Sequence, residues 1–384
     1  MMKRVMGAVL ASVMLFAVAG CSGLYEREYT SQHPYEAESA VTEGAGPAAP
    51  VSSITNYSSL KQAILQLVSE RAESAELQFQ NYDGNISQDI STACWEVKSS
   101  TALGAFAVDY ISYDLSRIVS FYQAEIYITY KRSADQIAAV ESVYTVSDLS
   151  EKLSRAMGEN RSYLVLEVTV ASATADTVIR AAEEAFYADP VGCPVLPEVD
   201  VGIYPESGVS RIMEITLSYG LDGETMDAMR RDMELAVEAM IRWVAPQGAA
   251  SGEMLSEHDR VQGVYMYVTE NCRLNRTAGS TGRDALVGGA ADSEGLAMAV
   301  VAGCQALDVE CAPVFGRLAG MDHVWNMVTV DGKTYHMDVS AGTPVFLMGD
   351  EDLWGDYWWD TSLYPACPET YTEAGMIASP EPAA

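Results

Sequence analysis

Histidine is scarce in this chain, with four among 384 residues, and cations are outnumbered: 23 Lys and Arg stand against 54 Asp and Glu, a formal net charge of −31. A surface so short of positive charge cannot neutralise phosphates, which excludes nucleic acid as a partner. It also cannot adhere electrostatically to anionic lipid. Acidic surfaces favour solubility and identify no substrate. No CxxC pair occurs among the seven cysteines, and their spacings match no zinc pattern, so neither a metal nor a cofactor is expected. After the first twenty residues no run reaches the roughly 18 apolar residues that a membrane span requires.

What the N-terminus does hold is Lys3 and Arg4, then an apolar stretch from Met6 to Ala19, then Val18-Ala19-Gly20-Cys21. Small residues directly before a cysteine resemble the lipobox of bacterial lipoproteins. Residues 1–21 then read as a signal peptide with Cys21 as the lipidated first residue of the mature chain. That places the protein outside the cytoplasm, anchored by lipid to the bacterial cell membrane. Residues 22–56, rich in Ala, Gly, Pro, Ser and Glu, have no apolar period and read as a flexible acidic tether. Six cysteines remain: Cys94, Cys193, Cys272, Cys304, Cys311 and Cys367. A chain this long can build its core without disulfides, so isolated buried thiols are expected, and any pairing is not readable.

The next region looks duplicated. Ser58-Ser59-Leu60 and Ser147-Asp148-Leu149 each open an amphipathic helix. Leu77-Gln78-Phe79-Gln80 and Leu166-Glu167-Val168-Thr169 alternate like strands, and so do Ala124–Tyr130 and Met213–Tyr219. All three pairs share one offset. With helical stretches near Ile86–Val97 and Ala173–Tyr187, and strands at Phe106–Tyr113 and Val199–Tyr204, each copy reads α-β-α-β-β. Repeat 1 spans 57–146 and repeat 2 spans 147–221. Neither contains a histidine or a catalytic constellation, so they read as spacing or binding modules.

From Asp222 to Val244 a methionine stripe (Met226, Met229, Met233, Met240) has near-helical spacing, which signals core rather than ligands. A second helix covers Glu253–Leu274. Asp292-Ser293 then opens a third, Glu294–Leu307, with Ser293 at its N-terminus, where the helix dipole favours negative charge. Asp292 or Ser293 could equally be the cap. Strands follow at Cys311–Leu318, His323–Val330 and Thr334–Ser340, with Asp331-Gly332 as a two-residue hairpin turn. In that register His323 faces Ser340 and Trp325 faces Asp338. His323 and Asp338 then lie on one face as diagonal neighbours, the arrangement of a base and the carboxylate that orients it. His336 has no carboxylate at similar spacing and reads as a surface residue.

Ser293-Glu294-Gly295-Leu296-Ala297, His323-Val324-Trp325-Asn326 and Tyr335-His336-Met337-Asp338-Val339-Ser340 resemble, in order, the Cys-x-Gly-Tyr-Ala, His-Ala-Trp-Asn and Tyr-x-x-Asp-Val-Thr motifs of the transglutaminase-like superfamily. That superfamily shares the papain-like cysteine-protease architecture. The resemblance implies an α+β chain with a transglutaminase-like domain over 222–375, preceded by the duplicated module and followed by a disordered tail (376–384). It makes Ser293, His323 and Asp338 the triad positions, with Ser293 where the family has its nucleophilic Cys. A serine in a site tuned for a thiolate implies impaired catalysis. The cleft would then act as a module binding a peptide, a protein or cell-wall material. Trp325 would be its floor, and Trp354, Tyr357, Trp358 and Trp359 its rim. The alternative is an amide-bond hydrolase or acyl transferase using Ser293, His323 and Asp338. No acidic loop supports the calcium requirement of some transglutaminases.

Overall fold

The computed structural model describes residues 52–249 and 255–372 of an α+β chain. The expected signal peptide with Cys21, most of the tether and the 376–384 tail lie outside these residues. Among the described residues no helix is long and apolar enough to cross a membrane.

The first sheet is built from β1 (Ser52–Ile54), β2 (Ser74–Phe79), β3 (Val108–Ile118) and β4 (Phe121–Tyr130), in the order β1-β2-β4-β3. Helices α1 (Tyr57–Ser69), α2 (Ile86–Ser100) and α3 (Ala102–Ala107) interleave with them. After the short α4 (Ala134–Ala138) come β5 (Val140–Val143), α5 (Val146–Gly158), β6 (Tyr163–Val168), α6 (Ala175–Ala188), β7 (Glu198–Tyr204) and β8 (Arg211–Ser218), ordered β5-β6-β8-β7. In both sheets the first pair is parallel and the others antiparallel. Ile54 pairs with Phe79 as Val143 pairs with Val168, and Leu77 pairs with Ala124 as Leu166 pairs with Met213. Each of these positions shifts by the same 89 residues. The caps follow suit: Asn56 with Ser59, and Thr145 with Asp148, close capping boxes on α1 and α5.

Three details depart from the sequence reading. A short parallel strand precedes the first helix of each half, so the pattern is β-α-β-α-β-β and the tether gives way to structure at Ser52 rather than after residue 56. Three or four residues carry too little alternation to be recognised as strand. Phe106 ends a helix instead of opening a strand: the Thr101 hydroxyl caps Gly104 N–H, and Ala-Leu-Gly-Ala-Phe-Ala follows as one and a half turns. That helix has no counterpart in the second half. It packs Ala102, Phe106 and Ala107 on Val165 and Ile212, on the side of the second sheet away from α5 and α6. The equivalent positions of the first sheet are Glu76 and Gln123, which stay partly exposed. The second sheet is thus apolar on both faces because α3 covers one of them, and the ion pair Arg132–Glu214 (2.5 Å) closes the edge of that contact.

The C-terminal part begins with α7 (Gly223–Ala249) and α8 (Glu257–Asn271), then β9 (Arg273–Leu274), α9 (Gly282–Leu286), β10 (Ala290–Ala291) and α10 (Ser293–Ala306). Met226, Met233 and Met240 of α7 are buried, as a core stripe requires. Every residue of α10 from Gly295 to Cys304 is buried, so this is a central helix wrapped on all sides. It lies on an antiparallel sheet ordered β14-β13-β12-β11-β15, made of β11 (Cys311–Leu318), β12 (Met321–Val330), β13 (Lys333–Asp338), β14 (Val345–Met348) and β15 (Tyr357–Trp359), with α11 (Asp350–Leu353) between the last two. Asp331 and Gly332 adopt φ 52° and 74°, a two-residue turn that fixes the pairs Val330–Lys333 and Asn326–Met337. The six described cysteines carry free thiols; five are buried, and burial pushes Cys94 and Cys193 up to about 12.

Candidate active site

The first turn of α10 resolves which residue is the cap. Asp292 Oδ1 accepts from Gly295 N–H at 3.0 Å, and Asp292 Oδ2 accepts from the Ser280 hydroxyl at 2.6 Å. Ser293 is therefore the first helical residue, with a hydroxyl released from capping. Its Oγ accepts from the backbone N–H of Val324 at 3.2 Å, which sets it beside the start of β12. The neighbouring Glu294 turns the other way. Its carboxyl accepts from the Tyr187 hydroxyl at 2.9 Å, and its pKa is raised, chiefly by burial.

His323 and Asp338 come together as the hairpin register requires. His323 Nε2 lies 2.7 Å from Asp338 Oδ2, and the Ser340 hydroxyl lies 3.4 Å from the same nitrogen. Asp338 is 2 % exposed and saturated with donors. Tyr357 Oη donates to Oδ2 at 2.8 Å, while the Ser340 N–H and hydroxyl both donate to Oδ1 at 2.7 Å. Burial alone would raise the pKa of this carboxyl. The hydrogen bond and charge of His323, with the two bonds from Ser340, outweigh burial and hold it below the usual value. Because Nε2 donates to the carboxylate, Nδ1 is left as the basic nitrogen of neutral His323. Ser293 and His323 make no hydrogen bond to each other.

Aromatic rings back this pair. Trp325 is 1 % exposed and stacks against His323, ring centroids 6.2 Å apart and planes 24° from parallel, with Tyr357 and Trp359 edge-on to it. Gly316 makes room, since a Cβ there would meet the Trp325 ring at 2.6 Å. The expected rim needs correction. Trp325, Tyr357 and Trp359 are core residues, whereas Trp354 and Trp358 are exposed. Period-two alternation along β15 turns 357 and 359 inward and 358 out.

His336 is likewise no surface residue. It is fully buried, accepts from Trp325 Nε1–H on Nδ1 at 3.0 Å and meets Asp350 Oδ1 with Nε2 at 2.9 Å. β13 lies between β12 and β14, and its carboxylate partner arrives from α11, beyond the reach of local spacing. Asp350 and Tyr187 were not singled out by sequence reasoning, and Tyr357 was expected on the rim rather than as a donor to Asp338; each comes from a separate element, and no spacing marks these contacts. His336, Asp350 and Cys367 each offer one possible metal-ligand atom, all within 4.8 Å of one another. A cavity of about 330 Å³ opens beside the first turn of α10, walled by Phe186, Leu196, Met229, Arg283 and Glu294 among others.

No family model matches the chain, and neither does any curated protein. Solved structures that match it include a TGase at 13 % identity and TM-score 0.27, over 58 % of this chain and 63 % of that one. A candidate cysteine protease from Cytophaga hutchinsonii matches at 10 % identity and TM-score 0.24, over 38 % and 62 %. A candidate protease from Parabacteroides distasonis matches at 7 % and 0.22, over 71 % and 40 %. The matched part is less than two thirds of each of these solved chains.

Proposed function

We propose that the chain is a lipid-anchored extracytoplasmic protein, held to the bacterial cell membrane through Cys21, with a C-terminal domain of transglutaminase-like, papain-like fold. Its catalysis is impaired, and the domain serves as a binding module for a peptide, a protein or cell-wall material. One observation carries this reading: the base and its orienter are assembled at 2.7 Å, yet the Ser293 hydroxyl is engaged by the Val324 N–H and not by the imidazole. Nucleophilic catalysis by serine depends on a direct bond of about 2.6–3.2 Å to its base. The Asp292 carboxylate, spent on the helix N-terminus, further opposes an anion developing at Ser293. The shared strand order and the constant 89-residue register support reading the two preceding modules as a duplication that spaces or assists the binding domain.

The ligand surface is best sought at exposed Trp358, which lies beneath the Arg317 guanidinium, and in the cavity beside Glu294. Trp358→Ala is expected to weaken retention on isolated cell wall or on immobilised peptides by about tenfold, the ~1–2 kcal/mol of an aromatic anchor. Undiminished retention would remove Trp358 from the interface.

A second reading has one observation in its favour: saturated, ionised Asp338 is suited to support His323 as a base for Ser293 in amide hydrolysis or acyl transfer. A fluorophosphonate probe separates the two. The binding module is expected to give no Ser293-dependent label; labelling of the wild type that Ser293→Ala abolishes would install the hydrolase in its place.

A further inference from the structure

Behind the base runs a buried chain of polar contacts that triad chemistry does not use. The Trp325 indole N–H donates to His336 Nδ1 at 3.0 Å, His336 Nε2 faces Asp350 Oδ1 at 2.9 Å, and Asp350 Oδ2 accepts from Cys367 N–H at 3.0 Å. An indole nitrogen can only donate, so His336 Nδ1 is an unprotonated acceptor. A neutral imidazole then carries its single proton on Nε2, where Asp350 takes it. Each polar atom of the chain finds one partner of the right kind, in a place where an unpaired group would cost about 1–3 kcal/mol. The ring that this chain fixes is the one stacked on His323.

We infer that His336 and Asp350 are positioning residues: through hydrogen bonds to and behind the Trp325 indole they set the ring plane against which His323 rests. The inference rests on reading His323 as the base of the site. The His336 side chain makes no hydrogen bond to Ser293 or Asp338. The groups facing it are Asp350 from α11, the Cys367 thiol within 4.8 Å, the Trp325 indole and the Trp359 ring edge-on at 4.8 Å. Burial lowers the His336 pKa against the pull of Asp350, in keeping with a ring held neutral.

The same geometry argues against the trio His336, Asp350 and Cys367 as a metal centre. A cation would need the Nε2 lone pair, and with the indole donating to Nδ1 that demands an imidazolate or a broken Trp325 bond. Burial and Asp350 push the Cys367 thiol up to about 12, so a metal binding there would also have to release that proton.

The test is ¹⁵N NMR of the full chain labelled at its four histidines, assigned by substitution. His336 is expected to show the Nε2–H tautomer, unchanged through the region near 6.5 where an ordinary imidazole titrates. His336→Gln, whose amide can both accept from Trp325 and donate to Asp350, should leave the His323 ring signals in place, whereas His336→Leu should displace them. Trp325→Phe answers the same question if the leucine variant fails to fold, because it keeps a ring and removes the donor; His336 should then begin to titrate. An Nδ1–H tautomer, titration of His336 in the wild type, or unmoved His323 signals in the Leu and Phe variants would overturn the inference. A shift of the His336 nitrogens on adding zinc chloride would overturn it in favour of a metal site. No ligand or turnover enters these measurements, so their failure is separate from failure of the binding-module reading.

Discussion

Ser293→Cys is expected to give a thiol that iodoacetamide alkylates roughly 20-fold faster at pH 7 than an ordinary cysteine, the gain from moving a thiol of pKa near 8.5 into the range of helix-terminal thiolates. The position supplies what a thiolate needs. It is the first residue of a fourteen-residue helix, it does not cap that helix, and the adjacent strand brings His323 with its Nε2 already committed to Asp338. The native thiols will not obscure the result, since five of the six described are buried and Cys311 is only partly exposed. Mass spectrometry of the alkylated peptide reads the rate at each cysteine. An introduced thiol that reacts no faster than a free one would mean that the helix terminus and His323 are not arranged for a thiolate, and the transglutaminase-like reading of the site would fail. Fast alkylation with amide hydrolysis would mean that substitution of the nucleophile alone silenced the cleft. Asp292 bears on the size of the effect: its carboxylate already occupies the positive end of α10, so Asp292→Asn combined with Ser293→Cys should raise the rate further.

How much of this was legible beforehand depends on the range of the forces involved. The β12–β13 hairpin could be read because Asp331-Gly332 dictates both turn and register within two residues, and the register alone brings His323 to Asp338. The strands of the N-terminal part could be read because their alternation is clear, and the pairing registers repeat the 89-residue offset. Where two residues were locally equivalent, sequence could not choose. Asp292 and Ser293 are both good N-caps, and only the Ser280 and Val324 partners, from elsewhere in the fold, assign one to the helix and leave the other free. His336 was misplaced for a similar reason. A lone histidine on a strand beside polar residues gives no sign that α11 will lay a carboxylate over it, or that an indole across the sheet will require its Nδ1 as acceptor. The short strands β1 and β5 and the helix α3 exist because a neighbouring sheet edge or face receives them, which is a tertiary cause with no local signature.

Asp338→Ala is expected to destabilise the fold by about 3–5 kcal/mol, read by chemical denaturation at neutral pH, because it removes a buried carboxylate and orphans its four hydrogen-bond donors. Tyr357 Oη, the Ser340 N–H and hydroxyl, and His323 Nε2 all converge on the two carboxylate oxygens. Asp338→Asn should cost less, about 1–3 kcal/mol, since one oxygen can still serve the Ser340 donors while the amide nitrogen replaces the oxygen facing His323 and Tyr357. The acid limb of stability separates electrostatics from packing. Asp338 has a folded pKa below its unfolded value of 3.8, so between the two values the unfolded chain holds a proton that the folded chain does not. Its contribution is therefore complete above about 3.8 and is lost as the pH falls through the depressed folded value. His336, lowered from 6.5, adds an earlier loss of the same sign that starts as the pH drops below 6.5. In the wild type, stability should decline first below 6.5 and again below 3.8. Asp338→Ala should keep the first decline and shrink the second, to which Glu96, Glu141, Asp222, Asp259 and Asp360, also held below their usual values, contribute as well. His336→Gln should lose the first and keep the second. Identical acid profiles in all three proteins would show that neither group carries the linkage.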